Sequence, residues 1–169
     1  MGVERRLRPP TEADAVAERT TSGRPHPGQG VLFYDADCRF CRWCVAKILA
    51  WDRDRSIVPV AIGSPESAAL LADVEPARRR ASWHFRDPEG TVFSAGAAFA
   101  PLLRLLPWGS PLAAFASRWP RRIDRAYRVV ASKRGVLGAL VTSGARARAD
   151  RRIAARTSSG VASERRPSS

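Results

Sequence analysis

Residues 31–51 read VLFYDADCRFCRWCVAKILAW. An apolar, β-leaning run ends at Asp35. The pair Cys38 and Cys41 follows at once, and a helical period opens there, with Phe40, Cys44, Val45, Ile48 and Trp51 on one stripe. This order of strand, acid, cysteine pair and helix puts both cysteines at a helix N-terminus, just past the end of a strand. Such a terminus carries unpaired N–H groups and partial positive charge. Both favour a thiolate over a thiol. Cysteines so placed can have their pKa lowered from about 8.5 into the ~3.5–7.5 range, and the thiolate is the reacting species. Arg39 and Arg42 flank the pair and act in the same direction.

Residues i and i+3 share a helix face, so Cys41 can reach Cys38. Cys38 is nearer the helix end, which makes it the candidate nucleophile. Cys41 is then the resolving thiol, attacking the mixed disulfide and releasing reduced substrate. Asp35, three residues before Cys38, has two open roles. It is a general base for Cys41, or it caps the helix. Asp37 is expected to be the N-cap residue.

The chain has 169 residues, enough for one domain with a real core. Its formal charge is +13, from 29 basic and 16 acidic residues, and Lys47 and Lys133 are the only lysines. Three cysteines are too few for a disulfide-stapled scaffold. No secretory signal is visible: Arg5-Arg6 lacks the apolar stretch that a twin-arginine signal requires. No uncharged apolar run reaches the ~18 residues that a membrane span needs. A reducing cytoplasm is therefore the expected compartment.

Residues 1–29 read as a disordered leader, interrupted by Pro9, Pro10, Pro25 and Pro27. Residues 144–169 read as a basic, mostly disordered tail whose first half can extend a helix. Between them, residues 30–143 form the expected domain. Strands are expected at Val31–Asp35 and Ile57–Ile62. Short helices are expected from Ser64 to Asp73 and from Gly96 to Leu106. Ser82–Arg86 and Thr91–Ser94 flank the turn Asp87-Pro88-Glu89-Gly90 and read as a hairpin. Further helices are expected over Pro111–Arg118 and Arg121–Arg134. The order β-α-β-α-β-β-α matches a thioredoxin-like α/β sheet with flanking helices and extra C-terminal helices, though strand order does not follow from it.

Other chemistries compete for the same residues. Cys44 extends the series to C-x-x-C-x-x-C. An iron–sulfur cluster normally takes four cysteines, and a zinc site needs a fourth ligand such as His84. Three ligands along one helix cannot easily surround a tetrahedral ion, so Cys44 reads as a core-facing apolar residue. His84 beside a cysteine would suggest a hydrolase, but a lone strand histidine is more often structural. The stretch RWPRRIDRAYRVVASKR, Arg118–Arg134, carries seven basic residues with Trp119 and Tyr127 interleaved. Its plainest reading is a packed helix with a solvated basic face. Docking to an anionic membrane surface or an acidic partner comes next, and nucleic acid is disfavoured because no binding motif accompanies the charge.

The D-x-x-C-x-x-C series from Asp35 to Cys41 resembles the DCC family of predicted thiol–disulfide oxidoreductases. The resemblance extends through SWHFRDPEGTVFSAGAAFAPLLRLLP (residues 82–107) and the run Tyr127–Arg134, about residues 30–140 in all. It implies a thioredoxin-like fold and a redox-active Cys38–Cys41 pair. Many members carry Gly after the acid, where this chain has Ala36. Thioredoxins also set a cis-proline before the strand facing the site, where this chain has Ala81-Ser82, so Ser82 is the residue expected to approach the sulfurs. The expected reaction uses no bound cofactor, because the electrons reside on the two sulfurs. Its partners are a protein or small-molecule disulfide or thiol, and an unidentified reductant.

Overall fold

Strand β1 (Gly30–Tyr34) is buried along its whole length and forms the middle of the molecule. Its alternation sends Leu32 and Tyr34 to one face, and Val31 and Phe33 to the other. Both faces are covered, which is why the strand reads as a continuous apolar run. The computed structural model describes residues 28–163, with side chains followed to residue 157. Residues 1–27 of the expected leader and the last six residues of the expected tail lie outside the described residues.

From β1 the chain enters α1 (Arg39–Trp51) and returns in β2 (Ile57–Ala61). Two short helices follow, α2 (Pro65–Leu70) and α3 (Pro76–Ala81), then strands β3 (His84–Arg86) and β4 (Val92–Ser94). The sheet order is β2-β1-β3-β4. β1 and β2 are parallel, and the β1–β3 and β3–β4 pairs are antiparallel. This is a thioredoxin-like α/β arrangement. The expected hairpin is present, with Phe85 opposite Phe93.

One core cluster joins Leu32 to Val45 and Leu49 of α1, and to Phe85, Leu102 and Leu106. The other gathers Val31, Phe33, Val60 and Leu71 on the opposite face. Phe33 and Phe85 are fully buried, each contributing roughly 1.5–3 kcal/mol of transfer free energy.

After β4 comes a 3-10 segment (Ala95–Ala98), then α4 (Phe99–Arg104), α5 (Ser110–Arg118), α6 (Pro120–Ser132) and α7 (Arg134–Ala139). The single helix expected over Gly96–Leu106 is thus divided. Gly96 explains the small-residue start: a Cβ there would collide with the backbone of Asp124, so its absence lets α6 cross close to the 3-10 segment. Among the described residues no helix is long and apolar enough to cross a membrane.

The first half of the expected tail, read as able to extend a helix, is helical, and the helix runs further than expected, to Ser163. Ser143–Ser163 form a helix, α8, packed along α1. Ala149 and Ile153 are buried, and charges complete the contact. Arg156 Nη1 lies 2.5 Å from Asp52 Oδ2, and its Nη2 donates to the carbonyls of Leu49 (3.1 Å) and Asp52 (2.9 Å). Those carbonyls close the C-terminus of α1, where no helical partner remains for them. Asp52 is fully buried and also accepts the N–H groups of Ser56 and Ile57. Arg42 Nη2 sits 2.5 Å from Asp150 Oδ1, a charge contact in a half-exposed setting.

His84 is fully buried in β3. Its Nε2 lies 3.2 Å from the Arg79 carbonyl, which can only accept. Nε2 therefore carries the proton, and Nδ1 accepts from the Ser94 hydroxyl at 2.7 Å. Its two nitrogens are thus bonded to Ser94 and Arg79 and not to a cysteine, and His84 lines neither cysteine surface, so the Cys–His pair that the hydrolase reading requires is not formed. Burial lowers the His84 pKa from its ordinary 6.5, against the opposing pull of the backbone bonds to Arg79 and Arg78. The neutral ring is thus favoured by folding. Its contribution is complete above about pH 6.5 and is lost as pH falls through the depressed folded value. The urea midpoint is expected to drop on mild acidification from neutral pH, and to drop less in His84→Gln. Equal pH sensitivity in both proteins would contradict this.

Candidate active site

The loop between β1 and α1 is organised by one carboxylate. Asp35 Oδ1 accepts the N–H groups of Asp37 (2.9 Å) and Cys38 (3.2 Å), turning the chain out of the strand and into the helix. The expectation that Asp37 caps the helix is corrected here, because the N-cap residue is Cys38. It has extended backbone angles (φ −82°, ψ 109°), and its Sγ accepts the Cys41 N–H at 3.2 Å. Asp37 is exposed, and its own N–H is already held by Asp35. The Cys38 carbonyl takes the N–H of Arg42 as the first helical bond.

Cys41 lies one turn further, half-buried and hydrogen-bonded to the Cys38 side chain. Burial pushes its thiol well above the usual range. Its hydrogen bond to Cys38 and the charges of Cys38 and Asp35 add to the rise, while Arg134 pulls the other way. Asp35 therefore shapes the loop ahead of the helix and acts electrostatically on Cys41, but it does not cap the helix, a role that falls to Cys38.

The two sulfurs open on different surfaces. Cys38 lines a shallow groove with Asp37, Arg39 and Gly138. Cys41 and Cys44 line an apolar cavity of about 180 Å³ walled by Phe40, Trp83, Phe99 and Tyr127. Asp35 and Arg134 line both. Cys44 thus faces this cavity beside Cys41, and its thiol is pushed up to about 11, first by burial and then by the Cys38 charge. Among the described residues no group of three or more His, Cys, Asp or Glu could hold a metal ion, and both nitrogens of His84 are already bonded.

Ser82 precedes β3 and lines the cavity with Cys41. Its hydroxyl donates to the Trp83 carbonyl at 2.9 Å. Its remaining partner, Tyr127 Oη at 3.1 Å, is then the donor. The described peptide bonds are all trans, those around Ser82 included. Trp83, Phe99 and Tyr127 form an edge-to-face series with centroids 5.0 and 6.3 Å apart. This fixes Tyr127 of α6 over the cavity.

Sequence reasoning missed Arg134 as a site residue. It opens α7, a helix too short to show a period, and α7 packs against α1 where Gly138 comes within van der Waals reach of Arg39 and Phe40. Gly138 was the available signal for that approach.

A family model described as DCC1-like thiol-disulfide oxidoreductase matches residues 32–139. The match takes in the cysteine pair, Ser82, Tyr127 and Arg134. No curated protein and no solved structure matches the chain.

Proposed function

This chain belongs to the DCC1-like thiol-disulfide oxidoreductase family, and on that premise we propose that Cys38 and Cys41 are its exchanging pair. The Cys38 thiolate attacks one sulfur of a substrate disulfide. A mixed disulfide forms, and the other substrate sulfur leaves as a thiolate. Cys41 then loses its proton and attacks Cys38 Sγ, closing the Cys38–Cys41 disulfide and expelling the second substrate thiolate. Two electrons pass from the pair to the substrate, and an external thiol reductant returns them by the reverse sequence.

The observation that carries this reading is the hydrogen bond from Cys41 N–H to Cys38 Sγ, which sets the two cysteines one turn apart, and Cys38 is also among the groups that raise the Cys41 thiol. It also supports an order of events. Part of what holds the Cys41 proton is the charge on Cys38, and that charge disappears when Cys38 enters the mixed disulfide. Cys41 then ionises more readily, and Asp35, which lines the same cavity and acts electrostatically on Cys41, is the group assigned to take the proton. The two electrons reside on sulfur throughout, so the step needs no bound cofactor.

The test is a titration against glutathione redox buffers, with thiols counted by mass spectrometry. The expected result is one reversible two-electron couple joining Cys38 to Cys41, with Cys44 still free. Accessible thiols that never form that disulfide would overturn the reading.

A further inference from the structure

Helix α5 carries an apolar face that no described element covers. Trp108, Leu112, Phe115 and Trp119 are all exposed, Trp108 to 90% and Phe115 to 59%. Leu112 and Phe115, three residues apart, share one face of the helix, and Trp108 and Trp119 flank its two ends. Ala113 and Ala116 are its buried residues and face the domain. The apolar face is held outward rather than left loose. The Pro107 carbonyl accepts the Trp51 indole N–H at 2.8 Å, and Gly109 is packed against the Leu103 carbonyl. Trp108, between these two anchors, has φ 60°, a backbone conformation that bulky residues rarely adopt.

Arg104, Arg118 and Arg122 stand beside these apolar residues. The Arg104 guanidinium reaches Ser117 of α5 at 3.4 Å. Those of Arg118 and Arg122 lie over the Trp119 ring, 5.5 and 4.4 Å from its centroid. No acidic residue occurs between Glu89 and Asp124. A protein partner of mixed charge would leave this uniformity without purpose, whereas an anionic bilayer matches it. Indole rings also favour the headgroup level, where one end is apolar and the other wet.

We propose that this face docks on an anionic lipid bilayer. Trp108, Leu112 and Phe115 enter the boundary between headgroups and acyl chains, and Arg104, Arg118 and Arg122 meet the lipid phosphates. The proposal is independent of the redox reading, since none of these residues lines the groove or the cavity around the cysteines.

The experiment floats the full chain with phosphatidylcholine vesicles, with and without phosphatidylglycerol. Flotation is expected only with the anionic vesicles and is expected to fall at high salt. Trp108→Ser/Phe115→Ser should weaken binding by roughly tenfold or more, and Arg118→Gln/Arg122→Gln should weaken it at low salt. Both double variants alter exposed side chains, and unchanged circular dichroism and thiol exchange would establish that they fold. Flotation that the apolar double variant leaves intact would mean that charge elsewhere on the chain does the binding, and would overturn the proposal. So would the absence of flotation, including the case where the same variant instead abolishes self-association in sedimentation, which would assign the face to a second copy of the chain.

Discussion

Cys38→Ser is expected to slow disulfide exchange by about a thousandfold or more, the scale on which loss of a covalent nucleophile registers. The hydroxyl keeps an acceptor for the Cys41 N–H, so the helix start and the fold should survive. Any loss is then chemical. Cys41→Ser separates the two steps. Attack by Cys38 remains possible, but resolution does not, and an adduct of substrate on Cys38 should accumulate and be visible by intact mass. Asp35→Asn refines the picture further. Asparagine retains the side-chain oxygen that accepts from Asp37 and Cys38 but cannot take a proton from Cys41. If the carboxylate is a general base, resolution should slow by roughly a hundredfold or more while formation of the mixed disulfide is spared. A fully active Cys38→Ser would remove the assigned roles altogether.

Arg156→Ala is expected to destabilise the fold by about 3–5 kcal/mol, measured by urea unfolding followed by circular dichroism. The substitution strips a fully buried carboxylate of its counter-charge and frees two carbonyls at the end of α1. Asp52 retains the N–H groups of Ser56 and Ile57, which puts the expected loss toward the lower end. Replacing both partners, as in Asp52→Asn/Arg156→Met, should cost less than the single change, because no uncompensated charge stays behind. Removing the exposed pair Arg78–Glu75 should change stability by about 1 kcal/mol at most. An Arg156→Ala loss of that same small size would mean that the buried pair behaves like a surface one.

The site was largely legible because its geometry is local. An apolar run, an acid and a helical stripe within residues 31–51 suffice to set β1, the loop and α1 in order. The hairpin was legible for the same reason, through its Pro and Gly turn. The N-cap was misjudged because residue preference favours Asp at position 37. The loop instead folds around Asp35, which leaves the Cys38 sulfur to accept the helical N–H. α3 gave no signal because Pro76–Ala81 is mostly arginine and alanine and buries nothing. The docking of α8 on α1 was hidden for a related reason. The inward residues of α8 include Ala149, Ile153 and Arg156 at helical spacing, and an alanine and an arginine add almost nothing to an apolar pattern. What fixes that helix is a charge 104 positions away in the chain, a pairing that no local window contains. The same distance effect hid the strand order and the approach of Arg134 to Cys41.

The clasp between α8 and α1 has a consequence for how the molecule is made. The family match ends at residue 139, yet Asp52 finds its cation only at residue 156. On a ribosome adding about 5–20 residues per second, that carboxylate waits roughly five to twenty seconds for its partner to be synthesised. During this interval only the N–H groups of Ser56 and Ile57 offset the burial of its charge, which weakens the closure of the junction of α1 and β2. The seam then reaches its full stability only when α8, the last of the described helices, has been made.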